Sequence, residues 1–402
     1  MADLVLEPMM SETLQDIVEH MSLVEQTSHA STAPDYFGDV YRRVASTLEA
    51  ADFSGADPFD GLNSRIFAKL PFSSLPIARL AWLQLFKKSP YDFRALAKVP
   101  SSTNPVTLAL AARTYALTGE REKMRGAIER LIRMRGGHRA WGYPFPWQAK
   151  AFYVARGVPN VIATAYAVRA VSDCGASDES QRIITDAAAF VGTELVCRSA
   201  NGARYVGYVP QSATMVHNAN LWGAYVLALA ASRGDRSWRS LADAAIDYTV
   251  RAQNSDGSWE YGEAKHHRWI DGFHTGYVLE ALQLCRNLLQ RTDLAEPIAR
   301  GTEFYLKSFL HDDGVVPYYA DGRGPLDVNN FAQLVVTLKC VLPTPDWVAL
   351  ADRTLAAAIR ELWRPEMDAF AYQRRGRHIN RIVYARWTQI WMMYVLSLRL
   401  AH

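Results

Sequence analysis

Residues 253–282 read QNSDGSWEYGEAKHHRWIDGFHTGYVLEAL, and the rest of the chain repeats the plan of this stretch. A turn signal at Ser255-Asp256-Gly257 opens a loop dense in Trp, Tyr, His and carboxylates, which leads onto an apolar helix beginning near Phe273. Five further apolar helices superimpose on this one (274–284): TLALAARTYAL (107–117), IATAYAVRAV (162–171), LWGAYVLALAA (221–231), FAQLVVTLKCV (331–341) and RWTQIWMMYVLSL (386–398). With Leu110, Tyr166, Tyr225, Tyr277, Leu334 and Ile390 taken as equivalent, the successive separations are 56, 59, 52, 57 and 56 residues. So regular a period marks a repeat architecture, which overrides the two or three domains that 402 residues would otherwise suggest.

Between the apolar helices lie amphipathic ones, at 121–135, 180–195, 238–253, 295–310 and 346–363. A helix with one polar face sits outside, and a helix that is apolar nearly all round is surrounded by neighbours. Each unit is therefore a helical hairpin, and six hairpins close into a ring. The expected fold is all-α, an (α/α)6 toroid with short β-hairpin-like loops at one end. Small residues precede the anchors in the first four units (Ala109, Ala165, Ala224, Gly276), which lets inner helices approach closely. The sixth inner helix has no outer partner after it, so the helix at 35–51 or the one at 75–88 must close the ring. Residues 1–34 are polar and aperiodic and read as an arm, ahead of a single toroid domain over 35–402.

Composition narrows the function classes. With 49% hydrophobic and 21% charged residues the chain is globular, and 44 Lys and Arg against 41 Asp and Glu give +3, too little to imply nucleic acid as a partner. No apolar run approaches the ~20 residues of a membrane span, and no secretory signal is evident, so a cytoplasmic location is expected. The four cysteines form no CxxC pair and read as small buried residues. Walker, GxGxxG, GxSxG and EF-hand patterns are missing, which disfavours nucleotide, flavin and serine-hydrolase chemistry. No cofactor and no metal are expected, and the sequence leaves the oligomeric state open.

The connections leading into the inner helices carry the chemistry. Because all inner helices point one way, these loops gather at one end of the ring and form a concave site beside the helix N-termini, where negative charge is favoured. Tyr143, Trp147, Trp259, Trp269, Tyr319 and Tyr372 are candidates for stacking on sugar rings, with His217, Asn220 and Asn330 as polar partners at the loop–helix junctions. Asn218, Asp271 and Asp327 sit at junctions too, where Asp and Asn also serve as N-caps. His274 and Arg386 are poor caps and lie one turn before the anchor. His274 suits acid–base work near neutral pH, and Arg386 suits a carboxylate. Glu260, Asp271 and Tyr318 complete the candidate catalytic set.

The motifs GYPFPWQ (142–148), QNSDGSW (253–259) and WIDGFHTGYVLEAL (269–282) resemble those of (α/α)6-toroid proteins of bacterial exopolysaccharide biosynthesis, distantly similar to the C-terminal domain of heparosan glucuronyl C5-epimerases. The resemblance covers about residues 75–402 and implies an enzyme acting on a polysaccharide or oligosaccharide, of uronate-epimerase type. A glycoside hydrolase or lyase of the same fold is an alternative, for which Asp271 with Glu260 or Asp313 is the carboxylate pair to consider. Gln253, Gly257 and Trp259 are also similar to the Q-x3-G-x-W core of terpene cyclases and prenyltransferases, although no DxDD or DDxxD motif accompanies them. A non-catalytic glycan-binding protein is the fourth reading.

Overall fold

Each apolar helix of the repeat begins where a buried helix end must find partners for its free amides. The computed structural model describes residues 33–136, 138–148, 153–175, 177–344 and 346–402. In four units a short polar side chain caps the helix: Asn104, Asn160, Asp271 and Asp327 accept from the amides of Val106, Ala163, His274 and Asn329. The arm expected over 1–34 lies outside the described residues except for its last two, which begin a helix.

In chain order the helices are α1 (Ala33–Ala50), α2 (Pro76–Lys88), α3 (Pro105–Thr118), α4 (Arg121–Met134), α5 (Val161–Cys174), α6 (Asp178–Glu194) and α7 (His217–Ser232), followed by α8 (Arg239–Arg251), α9 (Gly272–Leu289), α10 (Ala295–Phe309), α11 (Val328–Val341), α12 (Asp346–Leu362) and α13 (Ile390–Leu400). Helices α3, α5, α7, α9, α11 and α13 form the inner ring. Each touches the next, and α13 returns to α3. Helices α4, α6, α8, α10 and α12 pack outside their partners, and α1 packs on α13 as the sixth outer helix. The fold is the expected all-α (α/α)6 toroid, with one core cluster running from Phe37 to Leu398. Of the two helices able to close the ring, α1 does so. Helix α2 instead belongs to the long first connection and packs on the turn Asp60–Asn63 and on strand Trp147–Gln148.

The outer-to-inner connections carry short antiparallel strands: β1 (Ser54–Gly55) with β2 (Ser102–Thr103), β3 (Trp147–Gln148) with β4 (Tyr153–Val154), β5 (Val196–Arg198) with β6 (Arg204–Val206), and β8 (Trp363–Arg364) with β9 (Ala369–Phe370). Strand β10 (Gln373–Arg375) lies between β11 (His378–Asn380) and β7 (Leu326–Asp327). Some loop aromatics turn out to be fasteners. Trp141 donates through Nε1 to the Leu131 carbonyl at 2.7 Å and Trp259 to that of Thr249 at 2.9 Å, each reaching ten residues back to the preceding outer helix. Turn glycines recur likewise. Gly257 (φ +89°) and Gly314 (φ +77°) lie so close to the Arg300 and Arg353 carbonyl oxygens that a Cβ would stand 2.4 Å from either.

Across the middle of the ring, charged, amide and aromatic side chains from all six inner helices meet. Arg169 of α5 pairs with Glu280 of α9, whose second oxygen accepts from Gln333 of α11 at 3.0 Å. Arg113 of α3 donates to Asp173 at 2.8 Å and lies over the ring of Tyr394 in α13, while Arg169 lies over Trp222 in α7. Two cations and two carboxylates thus neutralise one another, Arg169 and Glu280 buried on the axis and Asp173 at its more exposed end.

At Gly276 the inner helices α9 and α11 approach closely. A Cβ there would lie 2.7 Å from Gln333 Cγ and Thr337 Oγ1 and 2.8 Å from the Tyr305 hydroxyl. Gly276→Ala should therefore lower stability by about 1–3 kcal/mol through overpacking, despite alanine's better helix propensity. Urea unfolding of the two proteins gives the comparison, and an unchanged midpoint would mean that α9 and α11 have room to part.

Candidate active site

The entry to α9 places the reactive groups. Asp271, 1% exposed, accepts at Oδ1 from the His274 amide at 2.9 Å, and at Oδ2 from Trp269 Nε1 at 3.0 Å and His274 Nδ1 at 2.7 Å. One carboxylate thus caps the helix and holds the imidazole. The carboxylate can only accept, so in the neutral ring Nδ1 carries the proton and Nε2 is left as the acceptor. Tyr261 lies flat on Trp269 at 4.6 Å between centroids and 4.3 Å from the His274 ring, so the imidazole is clamped from the side as well.

These groups line a cavity of about 460 Å³ at the loop end of the ring. Tyr143, Trp147 and Tyr208 form one wall, with the Tyr143 and Tyr208 hydroxyls 3.1 Å apart. Phe273, Tyr318, Tyr319 and Tyr372 form another, and Phe59 and Trp387 stand near the seam where the chain ends meet. Burial, with Asp271 and Asp327 nearby, raises the Tyr318 phenol well above its usual range, so it remains a proton donor. His266 and His267 also border the cavity. Among the described residues, no three His, Cys, Asp or Glu side chains gather into a metal-binding group.

Arg386 lies in the cavity wall, on a π-helical turn (385–389) that precedes α13, but its charge is already engaged. Nε and Nη2 fork onto both oxygens of Asp57, the latter at 2.9 Å, and the guanidinium is sandwiched 5.2 Å from the Tyr143 ring and 5.1 Å from that of Trp387. Next to it, Arg94 Nε donates to both oxygens of Asp60, at 2.8 and 3.0 Å, and its Nη2 donates to the Asp57 carbonyl. The cation directed at the cavity is instead Lys87, on the last turn of α2. Its ammonium lies 4.7 Å from the Phe59 centroid, and among the described residues no hydrogen bond or ion pair engages it. Burial lowers its pKa, against the pull of Asp327 and Asp271.

Of the residues singled out in the sequence, the cavity brings together His274, Asp271, Tyr318, Arg386, Tyr143, Trp147, Trp269, Tyr319 and Tyr372. Glu260 borders only a small adjoining void beside Asp271 and His274, and its carboxylate reaches Arg268 at 3.6 Å. His217 borders that void too, with Nδ1 3.2 Å from the Thr249 hydroxyl. Asn220 is fully buried, tying the Val206 amide to the Ala245 carbonyl. Trp259 is packed under Gly301, and Asn330 donates to the Pro317 carbonyl. Asp313 is exposed on its turn. Lys87, Phe59 and Asp57 escaped sequence reasoning because they come from the irregular first connection, where no repeat aligns them with the other loops.

No family model and no curated protein matches the sequence. Among solved structures, the chain is similar to an unsaturated glucuronyl hydrolase from Streptococcus agalactiae, with 10% identity and a TM-score of 0.58 over 95% of this chain and 94% of that one. It is also similar to an unsaturated glucuronyl hydrolase from a Bacillus species, with 16% identity and a TM-score of 0.55 over 90% and 94%. A third neighbour is a cellobiose 2-epimerase from Spirochaeta thermophila, with 13% identity and a TM-score of 0.52 over 74% and 85%. At such identities the likeness is one of fold.

Two tests follow from the geometry. Asp57→Ala should cost about 3–5 kcal/mol in chemical denaturation, because it leaves Arg386 buried without a counter-charge; a loss below 1 kcal/mol would show that the pair is dispensable. His217 provides the pH test. Burial lowers its pKa from 6.5 to about 4, so between these values the unfolded chain binds the proton and the folded one does not. Its contribution to stability therefore falls as pH drops from 6.5 to 4, by on the order of 3 kcal/mol. Asp327, raised by burial to about 6, acts in the opposite direction over the same window, so the readout is the difference between the parent and His217→Gln. That difference should narrow on acidification.

Proposed function

We propose that the chain is an enzyme acting on oligosaccharide or polysaccharide chains, with His274 as its acid–base residue and Asp271 as the residue that positions it. The observation that carries this reading is the convergence of aromatic walls on the Asp271–His274 pair inside one cavity of about 460 Å³. Sugar rings present apolar C–H faces and polar edges, which such a lining accommodates. The fold neighbours, glucuronyl hydrolases and a cellobiose epimerase, support the same substrate class.

Within that class, epimerisation of a uronate unit fits the residues best. The C5 proton of a uronate lies next to its carboxylate. Nε2 of His274 takes this proton, the electron pair passes into the carboxylate, and the Lys87 ammonium stabilises the added charge in a site sheltered from water. A hydroxyl on the neighbouring loop, Tyr318 or Tyr319, returns a proton to the other face, and solvent then takes the proton from His274 and reprotonates the phenolate, so the step is an isomerisation with no redox partner. Lys87 thereby takes the carboxylate-holding role that the sequence had suggested for Arg386, whose guanidinium is committed to Asp57. The motifs at 142–148, 253–259 and 269–282 extend the proposal to exopolysaccharide biosynthesis. Hydrolysis by paired carboxylates fits less well. Asp271 is the one carboxylate on the main cavity wall among the described residues, and such a mechanism needs a second some 5–9.5 Å away.

The test is deuterium uptake at C5, followed by NMR in heavy water with uronate oligosaccharides. His274→Ala should slow exchange at least ~100-fold while binding persists. Lys87→Met should lower kcat/KM at least ~10-fold for uronate substrates while leaving the affinity for neutral oligosaccharides unchanged. Uptake undiminished in His274→Ala removes the proposed acid–base residue. Binding without exchange in the parent protein would favour a glycan-binding module.

A further inference from the structure

We propose that the outward face of α2 is a docking surface for an anionic lipid bilayer, holding the cavity close to a membrane. Helix α2 belongs to the connection at 51–104, the longest of the six that lead into the inner helices, the others being 135–160, 195–216, 252–271, 310–327 and 363–384. All six emerge at the cavity end. One side of α2 delivers Lys87 to the cavity and buries Leu83 and Phe86, and Trp82 is stacked on Phe67 at 4.9 Å and bonded to the Gly61 carbonyl at 2.9 Å. The helix is therefore firmly seated, and its exposure on the other side is a property of its sequence.

That other side is apolar where a solvent-facing stripe is ordinarily polar. Ile77, Ala81, Leu85 and Lys88 follow at helical spacing and are all exposed, Ile77 at 77% and Leu85 at 47%. Phe72 and Leu75, at 46% and 51%, extend the patch ahead of the helix. Along this stretch of chain the charge has a single sign. From Gly61 to Tyr91 the chain carries Arg65, Lys69, Arg79, Lys87 and Lys88 and no Asp or Glu, a local bias that the chain-wide +3 conceals. Arg65, Lys69 and Lys88 are exposed, and among the described residues no ion pair engages them.

Apolar side chains flanked by unpaired cations on a short helix are the requirements for lying in the interface of an anionic membrane. No described helix is long and apolar enough to cross one. A second copy of the same face is a poor occupant, since it would set these cations against each other.

The experiment is co-sedimentation of the full chain with vesicles of phosphatidylcholine containing 25–30% phosphatidylglycerol, a composition set on the order of physiological anionic content. Binding is expected to these vesicles, with at least ~10-fold weaker partitioning onto pure phosphatidylcholine and weakening in high salt. Ile77→Glu/Leu85→Glu, at two positions that do not line the cavity, should lose binding at least ~10-fold with an unchanged melting curve. Failure of the folded parent chain to sediment with anionic vesicles overturns the proposal, as does binding that survives the double substitution. A concentration-dependent dimer in analytical ultracentrifugation, abolished by the same double substitution, would assign the face to self-association instead. The outcome is independent of the reaction proposed for the cavity.

Discussion

The buried ion pair between Arg386 and Asp57 joins positions 329 residues apart, and both the ring and its cavity depend on it. A toroid of hairpins has to be closed by bringing the first and last parts of the chain together, and here closure has two levels. Helix α1 supplies the missing outer partner of α13 along the body. At the loop end, the segment carrying Asp57 and Asp60 lies against the entry to α13, with the Ala385 amide donating to the Ala56 carbonyl at 3.3 Å. The charges Arg386, Asp57, Asp60 and Arg94 balance within this seam. Such a cluster is costly to bury and costlier to break, so it selects one register of the two ends.

The same seam shapes the cavity. Arg386 lies between the rings of Tyr143 and Trp387, which ties together aromatic side chains from the second and the sixth units. The π-helical turn that carries Arg386 and Trp387 breaks the regular ladder where a wall residue is needed, and the Gln389 side chain on that turn bonds both backbone groups of Phe370. On the far side of the ring, Asp271 combines a structural and a chemical task. Its cap bond is the one any repeat unit requires, and its second oxygen turns the cap into a support for His274. A local need of helix termini is thus converted into a chemical arrangement by adding a histidine three residues on.

Repetition also explains why aromatic loops divide into two kinds. Trp141 and Trp259 occupy equivalent places and fasten each loop to the outer helix behind it. The glutamine of the Q-x3-G-x-W stretch serves the same end: Gln253 donates to the carbonyls of Gly257 and Pro297. In this chain the stretch is a fastener between successive hairpins. Trp147, Trp269 and Tyr261, by contrast, lie beyond the fasteners and line the cavity.

The sequence by itself determined the six-fold helical repeat, the inner and outer roles of the helices, the close approach at Gly276 and the gathering of the loops at one end. These follow from periodicity, helix polarity and side-chain size, which act over a few turns and can be read locally. It also marked His274 and Asp271, because a histidine at the start of an apolar helix is out of place as a cap. Only the tertiary structure decided that α1 closes the ring, that Arg386 is spent on Asp57, that Asn220 and Trp259 face the core, and that Lys87 faces the cavity. Each of these depends on which groups meet across hundreds of residues, and a polar side chain's role is set by the partner it finds. The repeat registers the loops with one another, but it carries no information about the irregular first connection that completes the site.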